Sequence, residues 1–210
     1  MSDPAELYDA ILTGNAKKAE EVTKAALEAN ADPSELLAKY MIPAMDEVGK
    51  RFECNEYFVP ELLIAARAMK TALRLLTPKL ADAGAKAVGR VVIGTVQGDL
   101  HDIGKNLVAS MLEGGGFEVV DLGVDVPADK FVEAAKEKGG TIVALSALLT
   151  TTMTQMKQVI QALGAAGVRG KTKVMIGGAP ITQQYADEIG ADGYSDNASS
   201  AVSLARKLVA

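Results

Sequence analysis

The sequence has no tryptophan and few other aromatic residues, which make up only 4% of its 210 residues. Aliphatic residues and methionine must therefore form most of the core, and a hydrophobic fraction of 49% is ample for a soluble globular protein. The single cysteine, Cys54, excludes an internal disulfide framework. This length allows one large domain or two small ones.

Basic clusters and long apolar runs are also absent. The net charge is -5 and the isoelectric point is near 5.0, whereas nucleic-acid binding needs a basic patch that displaces counterions. No apolar run approaches the roughly 20 residues of a membrane span. The start of the chain, Met1–Glu6, is polar and acidic rather than a signal sequence. We therefore predict a cytoplasmic protein that binds neither nucleic acid nor membrane.

Residues 1–85 show only helical patterns and are predicted to form a bundle of four to five amphipathic helices. Capping residues and prolines mark where the helices start. The predicted helices are Glu6–Leu12, one capped by Asn15 that runs through Ala29, one from Asp32-Pro33, one from Pro43, and Pro60–Leu76. The longest is predicted to bury a stripe formed by Leu63, Ala66, Met69 and Leu73.

The segment Ala81–Gly89 has no periodic pattern and is predicted to link the bundle to a second domain, residues 90–210. From Arg90 onward, β-branched runs alternate with helical stretches, which is typical of a parallel sheet covered on both faces. Five such units predict a flavodoxin/Rossmann-like, doubly wound α/β domain with five parallel strands. The predicted strands are Val91–Gly94, Phe117–Val120, Ile142–Leu145, Lys173–Ile176 and Gly193-Tyr194, and the predicted helices are Ile103–Leu112, Pro127–Lys138, Met153–Gly164, Ile181–Ile189 and Ala198–Val209.

The only histidine in the sequence, His101, falls in the loop after the first predicted strand. Ligands of doubly wound sheets bind beyond the carboxyl ends of the strands, so this loop is at the ligand edge. Asp99, two residues earlier, is placed to accept a hydrogen bond from one ring nitrogen while the other faces a metal. One histidine cannot build a zinc or iron site, which needs three or four protein ligands. A metal that arrives already chelated in a macrocycle needs only one protein ligand.

The pattern Asp99-x-His101-x-x-Gly104 resembles the cobalamin-binding signature of the corrinoid proteins and of cobalamin-dependent methionine synthase. Three later segments resemble the same family in the same order, and together the four cover the C-terminal domain. These segments are Ser146-Ala147-Leu148-Leu149-Thr150, Gly177-Gly178-Ala179 and Tyr194-Ser195-Asp196-Asn197-Ala198.

The resemblance implies that the protein binds cobalamin, as methylcobalamin or another corrinoid, with His101 as the lower ligand to cobalt. Asp99 would orient the histidine and couple its ligation to proton uptake, and the hydroxyl of Thr152 would hydrogen-bond Asp99. An ordinary turn explains Gly177-Gly178 equally well, and a helix cap explains Ser146 equally well. Cofactor contacts are expected from Gly98, Asp102, Ile103, Gly104, Ser146, Leu148, Thr150, Gly177, Gly178, Ala179, Tyr194 and Ala198.

The segment from Phe52 to Glu61 resembles the part of methyl-carrying relatives that covers the upper face of the corrin. By position, Phe52, Val59 and Leu62 would form an apolar cap above the methyl group. Helical periodicity alone favours the alternative that these side chains pack in the bundle core. Cys54, where relatives commonly have glycine, is predicted to be a small buried hydrophobe rather than a thiol near cobalt.

The family implies a methyl shuttle that is not catalytic alone. A substrate-specific methyltransferase would load the methyl group, and a second methyltransferase would pass it to a folate or thiol acceptor, with a reductive activase as a further partner. Methanol, methylamines, glycine betaine and aryl methyl ethers all remain open as donors.

Three other functions remain open beside methyl carriage. The chain could be the small subunit of an adenosylcobalamin-dependent mutase, although such subunits lack the helical cap. A cobalamin-dependent transcriptional regulator pairs similar domains but needs a DNA-binding module. The third alternative is a flavodoxin-like domain that binds another cofactor.

Overall fold

The computed structural model describes residues 5–82, 87–138 and 142–210. The chain divides into two compact units, one formed by residues 1–87 with 113–116 and the other by residues 88–112 with 117–210. The predicted linker Ala81–Gly89 lies partly outside the described residues, because 83–86 are not among them. The predicted domain bounds, 1–85 and 90–210, stay a prediction.

The first unit is helical, as predicted. Asn15 and Asp32 both accept a backbone N–H with their side chains and so cap the helices that follow them. The helices are α1 (Ala5–Leu12), α2 (Ala16–Glu28), α3 (Pro33–Leu36), α4 (Ile42–Glu53) and α5 (Val59–Asp82), with a π-helical turn, Leu37–Met41, between α3 and α4.

Pro43 lies in the first turn of α4, as predicted, and Pro78 lies inside α5. The chain from α3 into α4 is continuous through the π-helical turn, in which the Ile42 N–H bonds to the Leu37 carbonyl. Pro43 has no N–H to donate and its ring crowds the carbonyl four residues back, and the wider turn accommodates both effects. The predicted end of the longest helix at Leu76 is wrong, since α5 runs past Pro78 to Asp82.

The predicted buried stripe of α5 is wrong at its first position. Leu63 is 49% exposed, whereas the neighbouring Leu62 is fully buried. Ala66 and Met69 are buried as predicted. Apolar residues occupy more than one side of this helix, so periodicity alone could not choose the correct register.

The second unit is a five-stranded, all-parallel sheet in the order β2-β1-β3-β4-β5, which confirms the predicted fold class. Its strands are β1 (Arg90–Thr95), β2 (Glu118–Asp121), β3 (Ile142–Ser146), β4 (Lys173–Gly177) and β5 (Gly193–Tyr194). Its helices are α6 (Ile103–Gly114), α7 (Ala128–Lys138), α8 (Thr150–Ala165), α9 (Gln183–Ile189) and α10 (Ala198–Val209), with a 3-10 turn at Arg169–Lys171.

The core of this unit lies between the strands and the helices that cover them. The middle strands are almost continuously buried, which explains their unbroken apolar runs. Phe131 of α7 is fully buried, and its ring occupies the space that a Cβ at Gly94 would enter, at 2.8 Å. Glycine in β1 therefore makes room for the ring of Phe131 in this core. No helix among the described residues is long and apolar enough to cross a membrane.

Candidate functional site

The strand order reverses direction between β1 and β3, and the loops after these two strands contain most of the predicted site. From β1 the chain continues to β2 at one edge of the sheet. From β3 it continues in the opposite direction, to β4 and then to β5 at the other edge. Thr95 and Ser146, the last residues of β1 and β3, are paired in register. The loops that follow them are therefore neighbours at a topological switch point, where doubly wound sheets bind ligands.

His101 lies in the loop after β1, and its side chain is 51% exposed. Its ring Nδ1 is 2.7 Å from Oδ1 of Asp99, and its backbone N–H donates to the same oxygen at 3.1 Å. The hydroxyl of Thr95 donates to the His101 carbonyl at 2.9 Å. Both the ring and the main chain of the histidine are thus held by neighbouring groups.

The side chain of Asp99 is fully buried beneath the histidine. Its Oδ2 accepts the backbone N–H of Leu148 at 2.8 Å and the hydroxyl of Thr152 at 2.6 Å. Burial alone would raise the pKa of the Asp99 carboxyl. The hydrogen bonds from Thr152, Leu148 and His101 outweigh burial and hold this pKa below the usual aspartate range. Asp99 is therefore a carboxylate near neutral pH.

The ionisation of Asp99 decides which nitrogen of His101 carries a proton. A carboxylate can only accept hydrogen bonds, so Nδ1 must be the donor in the 2.7 Å contact. In the neutral ring, Nε2 then carries the lone pair. Nε2 is the nitrogen that can bind a metal, and a carboxylate behind the ring is the usual way to fix that tautomer.

The hydroxyl of Thr152 makes the contact with Asp99 that the resemblance implied. Thr152 is buried in the first turn of α8, which begins at Thr150 rather than at the predicted Met153. The same hydroxyl lies 3.0 Å from the Leu149 carbonyl, so it can donate to Asp99 or to its own helix. Threonine thus supplies the hydroxyl that the resemblance implies at this position.

Large aliphatic side chains are exposed in the same two loops. The predicted residues Ile103 and Leu148 are 81% and 43% exposed. Two residues that were not among the predicted cofactor contacts, Leu100 and Leu149, are also exposed, at 71% and 43%. Exposed aliphatic side chains that flank a polar group mark a binding surface for a largely apolar ligand. The signal for Leu100 was an apolar residue within an otherwise polar loop motif.

Gly177 ends β4 and Gly178 follows it at the same edge of the sheet, and the protein's own backbone requires at least one of them. A Cβ at Gly178 would lie 1.9 Å from the Ala147 carbonyl oxygen, and its φ of +135° is one that other residues rarely adopt. A Cβ at Gly177 would lie 3.1 Å from the Ser195 carbonyl oxygen. The close approach of β3 and β4 therefore explains Gly178, and its role toward a ligand stays a prediction.

The other predicted contact residues lie along this edge, and their roles toward a cofactor also stay predictions. Gly98 lies in the loop after β1 with a φ of +81°, which glycine adopts without strain. The last residues of β3 and β5 are Ser146 and Tyr194, and the first residues of α8 and α10 are Thr150 and Ala198. Three further residues are exposed: Asp102 and Gly104 around the start of α6, and Ala179 after β4.

In the helical unit, the three predicted cap residues differ in exposure. Val59 is 40% exposed, Phe52 is half-buried and Leu62 is fully buried. Phe58, which the sequence analysis did not name, is more exposed than any of them, at 60%. Leu62 thus has the burial that the core alternative predicts, whereas Val59 lies on the surface.

The prediction that Cys54 is a buried hydrophobe is wrong. Cys54 is exposed and caps the carboxyl end of α4, where its N–H bonds to the Lys50 carbonyl. The next residue, Asn55, has a φ of +60°, and this left-handed position turns the chain toward α5. Asparagine is one of the few residues besides glycine that tolerate this conformation.

A buried lysine beside the site was also missed by the sequence analysis. The side chain of Lys105, in the first turn of α6, is 1% exposed and forms an ion pair with Asp121 at the end of β2. It also donates to the side chain of Asn106 at 2.6 Å. The pair ties the start of α6 to the sheet directly after the histidine loop. Long-range pairs of this kind leave no signal in sequence spacing.

The available donors suit a metal that is already chelated better than a bare ion. Within the described ranges, no group of three or more His, Cys, Asp or Glu side chains is placed to hold a metal. His101 offers one nitrogen, and the exposed aliphatic side chains around it offer a surface for an apolar macrocycle. The residues present therefore fit a cofactor that brings its own equatorial ligands.

Comparisons with known proteins agree with this geometry. A family model described as a B12 binding domain matches residues 89–203, and a second model of the same description matches residues 5–77. The chain is 47% identical to trimethylamine corrinoid protein 1 of Methanosarcina acetivorans over 98% of its own length and 96% of that protein.

Two solved structures are also similar over nearly the whole chain. One is a cobalamin-binding protein from Desulfitobacterium hafniense, with a TM-score of 0.81, 35% identity and 99% of both chains covered. The other is a methanol:cobalamin methyltransferase complex from Methanosarcina barkeri, with a TM-score of 0.86 and 31% identity, covering 97% of this chain and 78% of that one.

Proposed function

The chain belongs to the corrinoid proteins of cobalamin-dependent methyltransferase systems, and from this membership we propose that it carries methyl groups derived from a methylamine, with His101 as the lower axial ligand. Family membership identifies the cofactor as cobalamin or a related corrinoid. The observation that carries the ligand assignment is the geometry of one histidine: Nδ1 bonded to a buried carboxylate, and a ring that is half exposed.

Bound cobalamin supplies a cobalt centre that accepts and releases the methyl group. The chain's own residues supply ligation and orientation. His101 offers Nε2 to the metal, Asp99 holds the proton on Nδ1, and Thr152 fixes Asp99 through its hydroxyl. The Asp99–His101 pair would also be the place where a proton could be held whenever Nε2 carries no metal. An apolar surface for the cofactor would come from the exposed side chains of Leu100, Ile103, Leu148 and Leu149.

The methylamine part of the proposal rests on sequence identity. The chain shares 47% of its residues with a trimethylamine corrinoid protein and 31% with a chain of the methanol complex. Full-length similarity to methyl-carrying corrinoid proteins also favours methyl carriage over a mutase subunit or a regulator. The partners proposed are a methylamine methyltransferase, a second methyltransferase with a folate or thiol acceptor, and a reductive activase.

Reconstitution with separate methyltransferases tests the proposed donor. The chain, loaded with cobalamin and reduced, is mixed with a trimethylamine methyltransferase and radiolabelled trimethylamine, or with a methanol methyltransferase and radiolabelled methanol. We expect protein-associated label to appear at least about 10-fold faster in the first mixture, which corresponds to a difference of about 1.4 kcal/mol in activation free energy. Faster labelling from methanol would contradict the methylamine assignment and leave the corrinoid assignment intact.

Gly104 offers a test of ligand contact at the site. A Cβ at this position would meet no protein atom within 4 Å, so nothing in the fold requires glycine there. Alanine is favoured over glycine in helices by up to about 1 kcal/mol, so Gly104→Ala should not lower the stability of the apoprotein. We expect its cobalamin affinity to fall about 10-fold, because the added methyl group enters space that the cofactor needs. Titration followed by absorbance measures this affinity.

Gly164→Ala is the matched control, since Gly164 lies in α8 with equally open space around its Cβ. Both variants should melt at or above the wild-type temperature, and only the first should bind cobalamin more weakly. Equal affinities of the two variants would show that Gly104 does not contact the cofactor.

A further inference from the structure

The loop that presents His101 receives no ladder hydrogen bonds from the sheet, so other groups must hold it. Residues 97–102 follow β1 and precede α6. At the start of this loop, the Asp99 N–H bonds back to the Val96 carbonyl in a local turn. The buried Asp99 side chain anchors the loop from one side. A second set of contacts comes from the segment after β2.

Asp125, in the segment between β2 and α7, contacts two consecutive residues of this loop. Its carboxylate Oδ1 accepts the Gly98 N–H at 2.7 Å. Its own N–H donates to the Asp99 carbonyl at 2.9 Å. The two bonds enclose the peptide unit that joins Gly98 to Asp99, two residues before the histidine. Thr95 holds the other end of the loop through the His101 carbonyl.

The segment that carries Asp125 is itself fixed to the sheet. The Thr95 N–H donates to the Gly123 carbonyl at 2.9 Å, and the Val126 N–H donates to the Thr95 carbonyl at 3.0 Å. Asp125 lies between these two bonds with a φ of +53°. Glycine adopts this conformation most readily, and aspartate is among the few other residues that tolerate it. The carboxylate bond to Gly98 gives a physical reason for a side chain at this position.

We propose that Asp125 is a positioning residue, which holds the Gly98–Asp99 peptide so that the loop presents His101 to cobalt in one orientation. The inference rests on the proposed role of His101. A carboxylate held on a fixed segment orders the loop before the cofactor binds, so less conformational entropy is lost when the axial bond forms. Groups that orient a metal ligand typically change its binding by 10- to 100-fold when removed.

Three substitutions separate the hydrogen bond from the backbone conformation. Asp125→Gly removes the carboxylate and relieves the positive φ, so it should fold at least as well as the wild type. Asp125→Ala removes the carboxylate and keeps a side chain at positive φ. Asp125→Asn keeps an acceptor oxygen and a residue that tolerates this φ, so it should rescue the loop. Asp129→Ala removes an exposed carboxylate from the first turn of α7 and serves as the control.

The first readout is hydrogen exchange of the Gly98 amide in the apoprotein. We expect exchange to become at least about 10-fold faster in Asp125→Gly and Asp125→Ala, and to stay within about 3-fold of wild type in Asp125→Asn and Asp129→Ala. This readout does not depend on cobalt, so it tests the contact even if His101 is not a ligand. Unchanged Gly98 exchange in Asp125→Gly would overturn the proposal.

The second readout is axial ligation in the cobalamin-loaded protein, measured by the EPR spectrum of the cobalt(II) form. In protein made with ¹⁵N-labelled histidine, splitting that changes with the label comes from His101, since the sequence has no other histidine. We expect the His-bound fraction to fall in Asp125→Gly, with its equilibrium constant lowered about 10-fold, and to recover in Asp125→Asn. Full ligation in Asp125→Gly would overturn the positioning role, whereas no label-dependent splitting in the wild type would overturn the ligand assignment itself.

Discussion

Replacing His101 with alanine should remove the axial nitrogen from cobalt and lower methyl transfer on the order of 100-fold or more, since changes to groups that merely orient a ligand already cost 10- to 100-fold. The effect should be large because His101 is the only histidine in the chain and no other cluster of metal-binding side chains is present among the described residues. The EPR spectrum of the cobalt(II) form and the absorbance spectrum of the bound corrinoid measure the loss of the ligand.

His101→Gly with added imidazole provides the control for this experiment. The glycine variant leaves a space beside Asp99 that free imidazole can enter, and its second nitrogen can then donate to the carboxylate. We expect imidazole to restore nitrogen splitting in the glycine variant and to leave the wild-type spectrum unchanged. A His101→Ala protein with an unaltered axial-ligand signature would rule out His101 as the ligand.

Replacing Asp99 with alanine should have the second-largest effect, because it alters both folding and ligation. The buried carboxylate accepts the Leu148 N–H, the Thr152 hydroxyl and two groups of His101. Each buried donor left without a partner costs about 1–3 kcal/mol. Thr152 can turn to the Leu149 carbonyl, so we expect the free energy of unfolding to fall by about 2–4 kcal/mol in total. Denaturant unfolding of the apoprotein measures this loss.

Asp102→Ala serves as the matched control for Asp99→Ala. Asp102 is exposed at the start of α6, and its carboxylate accepts the side chain of Asn106. Loss of an exposed carboxylate at a helix N-terminus lowers stability by about 1 kcal/mol or less. If the two variants lost equal stability, the network around Asp99 would not have the strength that its geometry implies. Thr152→Val should fall between them, since it removes one donor.

The lowered pKa of Asp99 also predicts how the loss depends on pH. A carboxyl whose pKa is lower in the folded state stabilises the protein fully above the pKa of the unfolded chain, and this contribution disappears as the pH falls toward the folded value. The stability difference between wild type and Asp99→Ala should therefore be greatest near neutral pH and shrink in acid. Unfolding experiments between neutral pH and the acid limit of the fold check this sign. A difference that grows in acid would contradict it.

Local patterns predicted the secondary structure of the second unit well. Its strands are marked by β-branched runs and its helices by 3.6-residue periodicity, and the observed elements begin or end within a few residues of the predicted ones. The helical unit was harder to predict, because α5 is apolar on several sides. There the buried position is Leu62 rather than Leu63, and the helix continues past Pro78.

In the site, contacts between residues close in sequence were predictable, whereas contacts between distant residues were not. Asp99 and His101 are two residues apart, so their spacing predicted the contact that the structure contains. Leu148 is 49 residues from Asp99, and Asp125 is 27 residues from Gly98. The resemblance to a known family pointed to Thr152 but not to Asp125 or Thr95. Such bonds depend on which loops the strand order of the sheet brings together, and local periodicity does not predict the strand order.

The sequence by itself determined that this chain has one histidine and placed it at the carboxyl edge of a doubly wound sheet, because strand runs, loop positions and residue spacing are local properties. Only the tertiary structure decided which ring nitrogen of that histidine carries the proton. The neighbouring loops of β1 and β3 bury Asp99 and supply its donors, which fixes the proton on Nδ1 and leaves the lone pair on Nε2. Burial and long-range hydrogen bonds set the charge of Asp99, and both exist only once the strands have paired.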